Sequence, residues 1–320
     1  MERRVGNRNN LRILFLGTPE FAASHLEFLL KKGYNVVAVI SQADKPRGRG
    51  QRLLPTPVKE IALRYNIPVF QPKSLTKEGM EIIEKFKPDI GIVVAYGRLL
   101  KNPFLSAIPF YNIHTSLLPK YRGAAPMQRS LEAGEKVTGV TIFKISEGMD
   151  DGDIAMQKAF EVGECETLGE VYEKMIKHGT ELLDEFLKSY PVPLIRQDHS
   201  QATYAPKIEK EDFYVDFSQS AEAVRNKIRA YDPIPGAKAI LNGFEIKLFG
   251  ACEIEDIGNE KLSNTLPGTI ISIDKIRGAL VRCKDRSLWI KYVQFPGKNK
   301  FEFYAAKNGG LVKEGVVLNS

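Results

Sequence analysis

The sequence predicts an α/β protein: a mostly parallel sheet with helices on both faces, followed by a smaller C-terminal β-barrel. Three observations predict it. Leu11 to Leu16 and Val36 to Ile40 are apolar stretches of strand length that bracket a helical stripe of Phe21, Leu26, Leu29 and Leu30. That is a βαβ unit, which requires parallel strands and a right-handed crossover. Ile90 to Ala95 is a second apolar run with the composition of a strand covered on both sides. Beyond residue 236, short β-like segments alternate with turn signals, as in a small barrel. At 320 residues the chain has room for two domains.

In chain order, Met1 to Asn10 is basic and polar and reads as a disordered tail; the apolar piece after it is too short for a signal-peptide core. Thr18 is placed to cap the first helix, with Pro19 at its first position, where a missing N–H is harmless. The first loop lacks Gly-x-Gly-x-x-Gly, so the sheet is Rossmann-like in layout without support for dinucleotide binding. Lys45, Arg47, Arg49 and Arg52, with Gly48 and Gly50 among them and no acid between Asp44 and Glu60, form a mobile basic loop. Such a loop is either a solvated surface or an arm for a nucleic-acid backbone. Pro57 to Tyr65 and Leu75 to Phe86 read as helices, with a short strand from Ile67 to Phe70 between them. Tyr96 to Leu100 is a loop at the carboxyl end of the Ile90 strand.

Asn112 and His114 lie two apart on the next short strand and therefore share a face. Leu117-Leu118-Pro119 and Arg122-Gly123 then break the strand into a loop, where α/β proteins place chemistry. From spacing alone, Asn112 holding a turn and His114 bonded to backbone is the slightly better reading. A helix from Ala125 to Ala133 and an alternating strand from Gly139 to Ile145 follow. Glu147 to Asp153 is an acidic, Gly-rich turn whose spacing does not match an EF-hand loop. Ile154 to Phe160 adds an antiparallel strand, and Leu168 to Ser189 a long helix that ends a domain spanning 11–189. Residues 190–207, with Pro191, Pro193 and Pro206, read as a linker to a domain at 208–320. That domain opens with a helix from Ser220 to Tyr231, and its strand segments are 237–241, 244–249, 269–273, 279–284 and 288–293. Between Lys275 and Lys300 there are eight Lys or Arg against one acid, Asp285, which suits a nucleic-acid backbone.

Composition is that of a globular protein, 43% hydrophobic and 27% charged, and the net charge of +7 admits an anionic partner without naming one. The longest apolar runs fall short of the roughly 20 residues a membrane helix needs, so no membrane partner is expected. Cys165, Cys252 and Cys283 are scattered and odd in number, which fits neither zinc nor a structural disulfide and suits a reducing cytoplasm. His25, His178 and His199 do not cluster and read as structural or solvent-facing.

The stretch from Asn112 to Gln128 resembles the signature of the folate-dependent formyltransferases, and Gly148-Met149-Asp150-Asp151-Gly152 resembles the family's Gly-x-Asp-x-Gly turn. Gly17 to Phe21 resembles the family's start, and the likeness runs from Leu11 to the last quarter of the chain. The resemblance implies a catalytic group of Asn112, His114 and Asp150. It implies a folate cleft shaped by Ser116, Leu117, Leu118 and Pro119, with Arg98 and Leu100 on the loop lining the pterin pocket largely through backbone. The donor would be 10-formyltetrahydrofolate, and the acceptor the α-amino group of initiator methionyl-tRNA, in support of translation initiation. The basic loop (Lys45, Arg47, Arg49, Arg52) would contact the tRNA acceptor stem, and the C-terminal, OB-like barrel would hold the tRNA. In the implied chemistry Asn112 and a protonated His114 donate to the oxygen that gains charge, while Asp150 favours the charged imidazole. No metal or nicotinamide is required, and the family expectation is a cytoplasmic monomer. Two alternatives remain open: a formyltransferase for a small amine (a nucleotide sugar or purine intermediate), and a non-catalytic RNA-binding protein that kept the fold.

Overall fold

The computed structural model describes residues 11–47, 52–256, 258 and 264–319. Contacts group the chain into two compact units that interleave along the sequence. The first unit takes residues up to 123 together with 139–159 and 174–204; the second takes 124–138, 160–173 and 205 onward.

The first unit is built on a seven-stranded sheet. Its strands in chain order are β1 (Ile13–Gly17), β2 (Val36–Ile40), β5 (Val69–Phe70), β6 (Ile90–Val94), β7 (Phe110–His114), β9 (Val137–Lys144) and β10 (Ile154–Glu161). Between them lie α1 (Glu20–Lys31), the strands β3 (Lys45–Arg47) and β4 (Arg52–Leu54), α2 (Pro57–Arg64), α3 (Met80–Phe86), α4 (Phe104–Ala107), the short β8 (Arg122–Gly123) and α5 (Pro126–Glu132). The spatial order is β10-β9-β7-β6-β1-β2-β5, parallel from β7 to β5, with β9 antiparallel to β7. Successive side chains of a strand face opposite ways. Leu14 and Leu16 pack with Ile82 of α3 and Phe104 of α4 on one face. On the other face, Phe15 lies close to Ala22 of α1 beside Gly17, and Tyr111 of β7 packs on Phe186 of the long helix α6 (Leu168–Ser189), ring centroids 4.8 Å apart. Helices thus cover both faces, as expected.

Three expectations are corrected here. Thr18 does not cap α1: the capping position is Pro19, without a side-chain bond, and the Thr18 hydroxyl instead donates to the Tyr96 carbonyl at the end of β6. The mobile basic loop is in part a hairpin, because β3 and β4 pair antiparallel with Arg47 opposite Arg52. Cys165 and Cys252, expected to be free, form a disulfide with Cα atoms 4.9 Å apart across 87 residues of sequence. Chain folding brings the two together, which no sequence spacing announces.

His25 is fully buried where α1 meets α6. Its Nδ1 lies 2.7 Å from the Phe21 carbonyl, which can only accept, so Nδ1 carries the hydrogen. Nε2 then faces Gly179 without a hydrogen-bond partner among the described residues. Burial lowers the imidazole pKa from 6.5 to about 4. A group whose charged form the fold disfavours binds its proton more readily when unfolded, so its contribution is intact above pH 6.5 and disappears as pH falls from 6.5 towards 4. The limiting loss is about 3 kcal/mol. Urea unfolding of wild type and His25→Leu at pH 7 and pH 4.5 should show a smaller acid penalty in the variant by about 2 to 3 kcal/mol; equal penalties would remove His25 from the acid response.

The second unit holds α5, the short β11 (Tyr204–Ala205) in part, α7 (Ala221–Arg229), β12 (Ala237–Leu241), β13 (Phe244–Glu255), β14 (Ile270–Asp274), β15 (Gly278–Arg282), β16 (Ser287–Gln294), β17 (Phe301–Glu302) and α8 (Phe303–Asn308). β12-β13-β16-β15-β14 form one antiparallel sheet. Residues 315–319 close it. Asn319 exchanges hydrogen bonds with Ile240 of β12, while Leu318 donates to Gly268 and Ile270 of β14 donates to Val316. Both edges of the sheet are therefore paired, which is how a barrel disposes of its edges. The sequence reading missed this closing segment, β17 and α8. Glu132 of α5 accepts from Lys227 Nζ at 2.6 Å and from the buried Tyr231 hydroxyl at 2.7 Å, and Arg129 reaches Asp212 at 2.7 Å. These bonds, made around α7, assign α5 to the barrel unit. Trp289 is buried in the barrel and its Nε1 donates to Glu255. No helix among the described residues is long and apolar enough to cross a membrane.

Candidate active site

β7 delivers Asn112 and His114 to the carboxyl end of the parallel strands, where a doubly wound sheet leaves its crevice. In register with β9, Asn112 stands opposite Phe143 and His114 opposite Thr141. The Asn112 side chain is half-buried, and no protein group among the described residues bonds to it. His114 is buried, edge-on to the Phe143 ring. Its Nε2 is 2.8 Å from the Tyr121 carbonyl oxygen. A carbonyl only accepts, so Nε2 carries the hydrogen and Nδ1 is the nitrogen free for chemistry. Nδ1 faces Asp150 Oδ2 at 3.6 Å.

Asp150 sits on the turn between β9 and β10 with φ +50°, a left-handed conformation uncommon for a side-chain-bearing residue but best tolerated by Asn and Asp. Its Oδ2 accepts from the Gly123 amide at 2.8 Å. Gly123 itself has φ +116°, which a residue with a Cβ rarely adopts, so the loop after Tyr121 needs glycine there. The Asp150 and Gly152 carbonyls accept from Gln197 Nε2 at 2.9 and 2.6 Å. Gln197 Oε1 in turn accepts from Arg122 Nη2 at 2.7 Å and Nε at 3.1 Å.

The charge on His114 departs from expectation. Burial lowers its pKa, and the opposing pull of Asp150 and of the Tyr121 carbonyl does not restore it. Burial therefore favours the neutral ring, with its lone pair on Nδ1, whereas a protonated ring was expected. Desolvation, which favours the uncharged form, outweighs one carboxylate that is not yet in hydrogen-bond contact.

Ser116 to Pro119 wrap beside this group. The Ser116 hydroxyl donates to the Lys120 carbonyl at 2.6 Å. Thr141 ties the segment to β9: its hydroxyl donates to the Ser116 carbonyl at 2.7 Å and accepts from the Leu118 amide at 3.1 Å. Gln157 of β10 donates to the Leu118 carbonyl at 2.8 Å. Leu118 is buried with Phe143 and Ile154, while Leu117 and Pro119 are half-buried. Arg98 spends its guanidinium on the carbonyls of Pro72 and Lys73, at 3.0 and 2.8 Å. Leu100 is buried in the core beside Tyr96 and Phe104.

The structure thus gathers Asn112, His114, Asp150 and Ser116 to Pro119. No hydrogen bond or ion pair among the described residues joins Arg98, Leu100 or Lys45 to that group. Lys45 is exposed at the start of the hairpin, the backbones of Arg47 and Arg52 pair across it, and Arg49 lies outside the described residues. Arg122, Thr141, Gln157 and Gln197 were not singled out by the sequence reading. Gln197 lies in the segment read as a linker, where neither periodicity nor a motif marks it. Among the described residues, no group of three or more His, Cys, Asp or Glu is placed to hold a metal ion.

Residues 11–187 match the family described as formyl transferase, and residues 207–309 match the formyl transferase C-terminal domain. A methionyl-tRNA formyltransferase of Fervidobacterium nodosum is 68% identical over 311 residues, covering 97% of this chain and 99% of that protein. One from Thermotoga maritima is 50% identical over 312 residues, covering 96% and 97%. Among solved structures, HypX from Aquifex aeolicus in complex with tetrahydrofolic acid superposes with a TM-score of 0.59 at 21% identity, covering 93% of this chain and 47% of that one. An N-formyltransferase from Helicobacter canadensis superposes with a TM-score of 0.65 at 20% identity, covering 88% and 98%. At these identities the two structures bear on the fold alone.

Proposed function

The chain belongs to the formyl transferase family, and on that premise we propose that it transfers the formyl group of 10-formyltetrahydrofolate to the α-amino group of initiator methionyl-tRNA, supporting translation initiation in the cytoplasm. The observation that carries the reaction is the meeting of an Asn112 amide, unbonded among the described residues, with the His114–Asp150 pair at the end of β7. The choice of acceptor is carried by end-to-end similarity to methionyl-tRNA formyltransferases, through both matched domains.

Bound folate supplies a formyl carbon activated towards an amine. Asn112, with both amide hydrogens uncommitted among the described residues, fits a carbonyl-bearing donor and donates to the formyl oxygen as it gains negative charge. Neutral His114 takes the amine proton on Nδ1, the ring nitrogen with a free lone pair, as the amine nitrogen bonds to the formyl carbon, and gives it to the folate nitrogen when the bond from that nitrogen to the formyl carbon breaks and tetrahydrofolate leaves. The imidazolium so formed lies between Asp150 and the Tyr121 carbonyl, which both favour it. Asp150 therefore acts as the partner of the charged ring during the reaction, although it does not charge the resting ring. Ser116 to Pro119 supply the wall of the folate cleft, and the loop at Arg98 and Leu100 contributes backbone, since the Arg98 side chain is already engaged and Leu100 is core.

The test is formyl transfer from 10-formyltetrahydrofolate to charged initiator methionyl-tRNA, beside uncharged tRNA and free methionine. Product on the charged tRNA alone is the expected result. Transfer to small amines instead would move the enzyme to that acceptor class, and folate binding without transfer to any amine would make it a binding protein.

Lys45, Arg47, Arg49 and Arg52 are proposed to follow the acceptor-stem backbone. Arg49→Ala with Arg52→Ala should weaken tRNA binding and flatten its dependence on salt, by about 0.7 to 0.9 in the log–log slope for each phosphate no longer neutralised. Unchanged affinity at low and at near-physiological salt would leave the hairpin without that role.

A further inference from the structure

Gln197 stands one step behind the reacting groups. It is 3% exposed, and its amide is used in full. The oxygen accepts twice from the guanidinium of Arg122, itself 3% exposed. The nitrogen donates to two carbonyls, Asp150 O and Gly152 O. The partners fix the orientation: guanidinium donates only and carbonyls accept only, so the amide has one satisfied way round. Arg122 is steadied by a further contact of 3.2 Å with His199 Nδ1.

These bonds hold the backbone of a residue in a left-handed conformation at its own carbonyl and again two residues on. Such a conformation persists only where its surroundings impose it. The Asp150 carboxylate keeps its place 3.6 Å from His114 Nδ1 only while that backbone stays put. From this geometry we infer that Gln197 is a positioning residue for formyl transfer: through the carbonyls of Asp150 and Gly152 it aims the Asp150 carboxylate at His114. The inference rests on the formyl-transfer reading of the site.

Gln197→Glu separates the two ends of the amide. The carboxylate still accepts from Arg122, so the buried guanidinium keeps its partner, but it cannot donate to either carbonyl. The full-length variant should lose about 10- to 100-fold in kcat, with little change in KM for tRNA or folate, because the four bonds of the Gln197 amide all go to protein groups. A residue acting only through Asp150 has nothing left to aim once that carboxylate is gone. In an Asp150→Ala background Gln197→Glu should therefore cost less than about 3-fold, a coupling that double-mutant cycles are built to read. Gln197→Asn keeps both functions one methylene short and should fall between wild type and Gln197→Glu; should Gln197→Glu fail to fold, the cycle is run with Gln197→Asn. The same fold-loss in both backgrounds, or no loss in either, would overturn the inference. Absence of transfer by the wild-type enzyme would instead overturn the reading of the site.

Discussion

Asn112→Ala, His114→Ala and Asp150→Ala should each lower the rate of formyl transfer by at least about 100- to 1000-fold, the usual cost of deleting a preorganised donor or proton acceptor. The three lose it for different reasons. Asn112→Ala removes a donor that no group among the described residues claims, so folding should be indifferent to its loss while the charged oxygen is left to solvent. His114→Ala removes the acceptor for the amine proton and also deletes the bond from Nε2 to the Tyr121 carbonyl, so a modest fall in stability is expected alongside the rate. Asp150→Ala leaves a neutral imidazole in place but withdraws the charge that would face the imidazolium, and it leaves the Gly123 amide without its acceptor. Asp150 raises the His114 pKa against the larger effect of burial. Its removal should therefore move the titration of His114, followed by imidazole resonances, further towards acid. Single-turnover rates near wild type in any one variant would take that residue out of the mechanism.

Gly152→Ala should be nearly as damaging, although no atom of Gly152 is a candidate for contact with the reacting groups. A Cβ there would fall on the Lys144 carbonyl oxygen, with the Lys144 carbonyl carbon at 3.0 Å and the Ser146 amide nitrogen at 3.3 Å. All three are backbone and cannot swing away as a side-chain tip would. The turn must shift, and Asp150 lies two residues away on it. Overpacking of this kind costs about 1 to 3 kcal/mol of stability. A carboxylate displaced by about 1 Å is enough to lose roughly 100-fold in rate. Urea unfolding and formyl transfer measured on one preparation check both parts. A variant with wild-type turnover would show that the turn has slack that the static geometry does not suggest.

Much of the architecture is legible in the sequence because burial on two faces leaves an unbroken apolar run. Ile13 to Gly17 and Ile90 to Val94 are buried throughout; both were readable as strands, and the second as one covered on both sides. Asn112 and His114 were readable as a pair because strand alternation is local. What was not legible depends on residues far apart in the chain. The charge of His114 is set by how deeply the fold buries it, which no neighbour in sequence reveals. Gln197 reaches Asp150 across 47 positions, Cys165 meets Cys252 across 87, and the closing segment near Val317 has too little apolar pattern to announce a strand. Thr18 shows the same limit on a smaller scale: its hydroxyl had a local use available and took the Tyr96 carbonyl instead.

The interleaving of the two units has a genetic consequence. The chain passes from one to the other after residues 123, 138, 159, 173 and 204. No single breakpoint can exchange one unit for another by recombination. A crossover near 204 would leave Arg129 and Glu132 in one parent's half, and Asp212, Lys227 and Tyr231, their partners, in the other's. It would also separate Cys165 from Cys252. Chimaeras of this enzyme should therefore survive only when 124–138 and 160–173 travel with the barrel, so the two halves are inherited as one module.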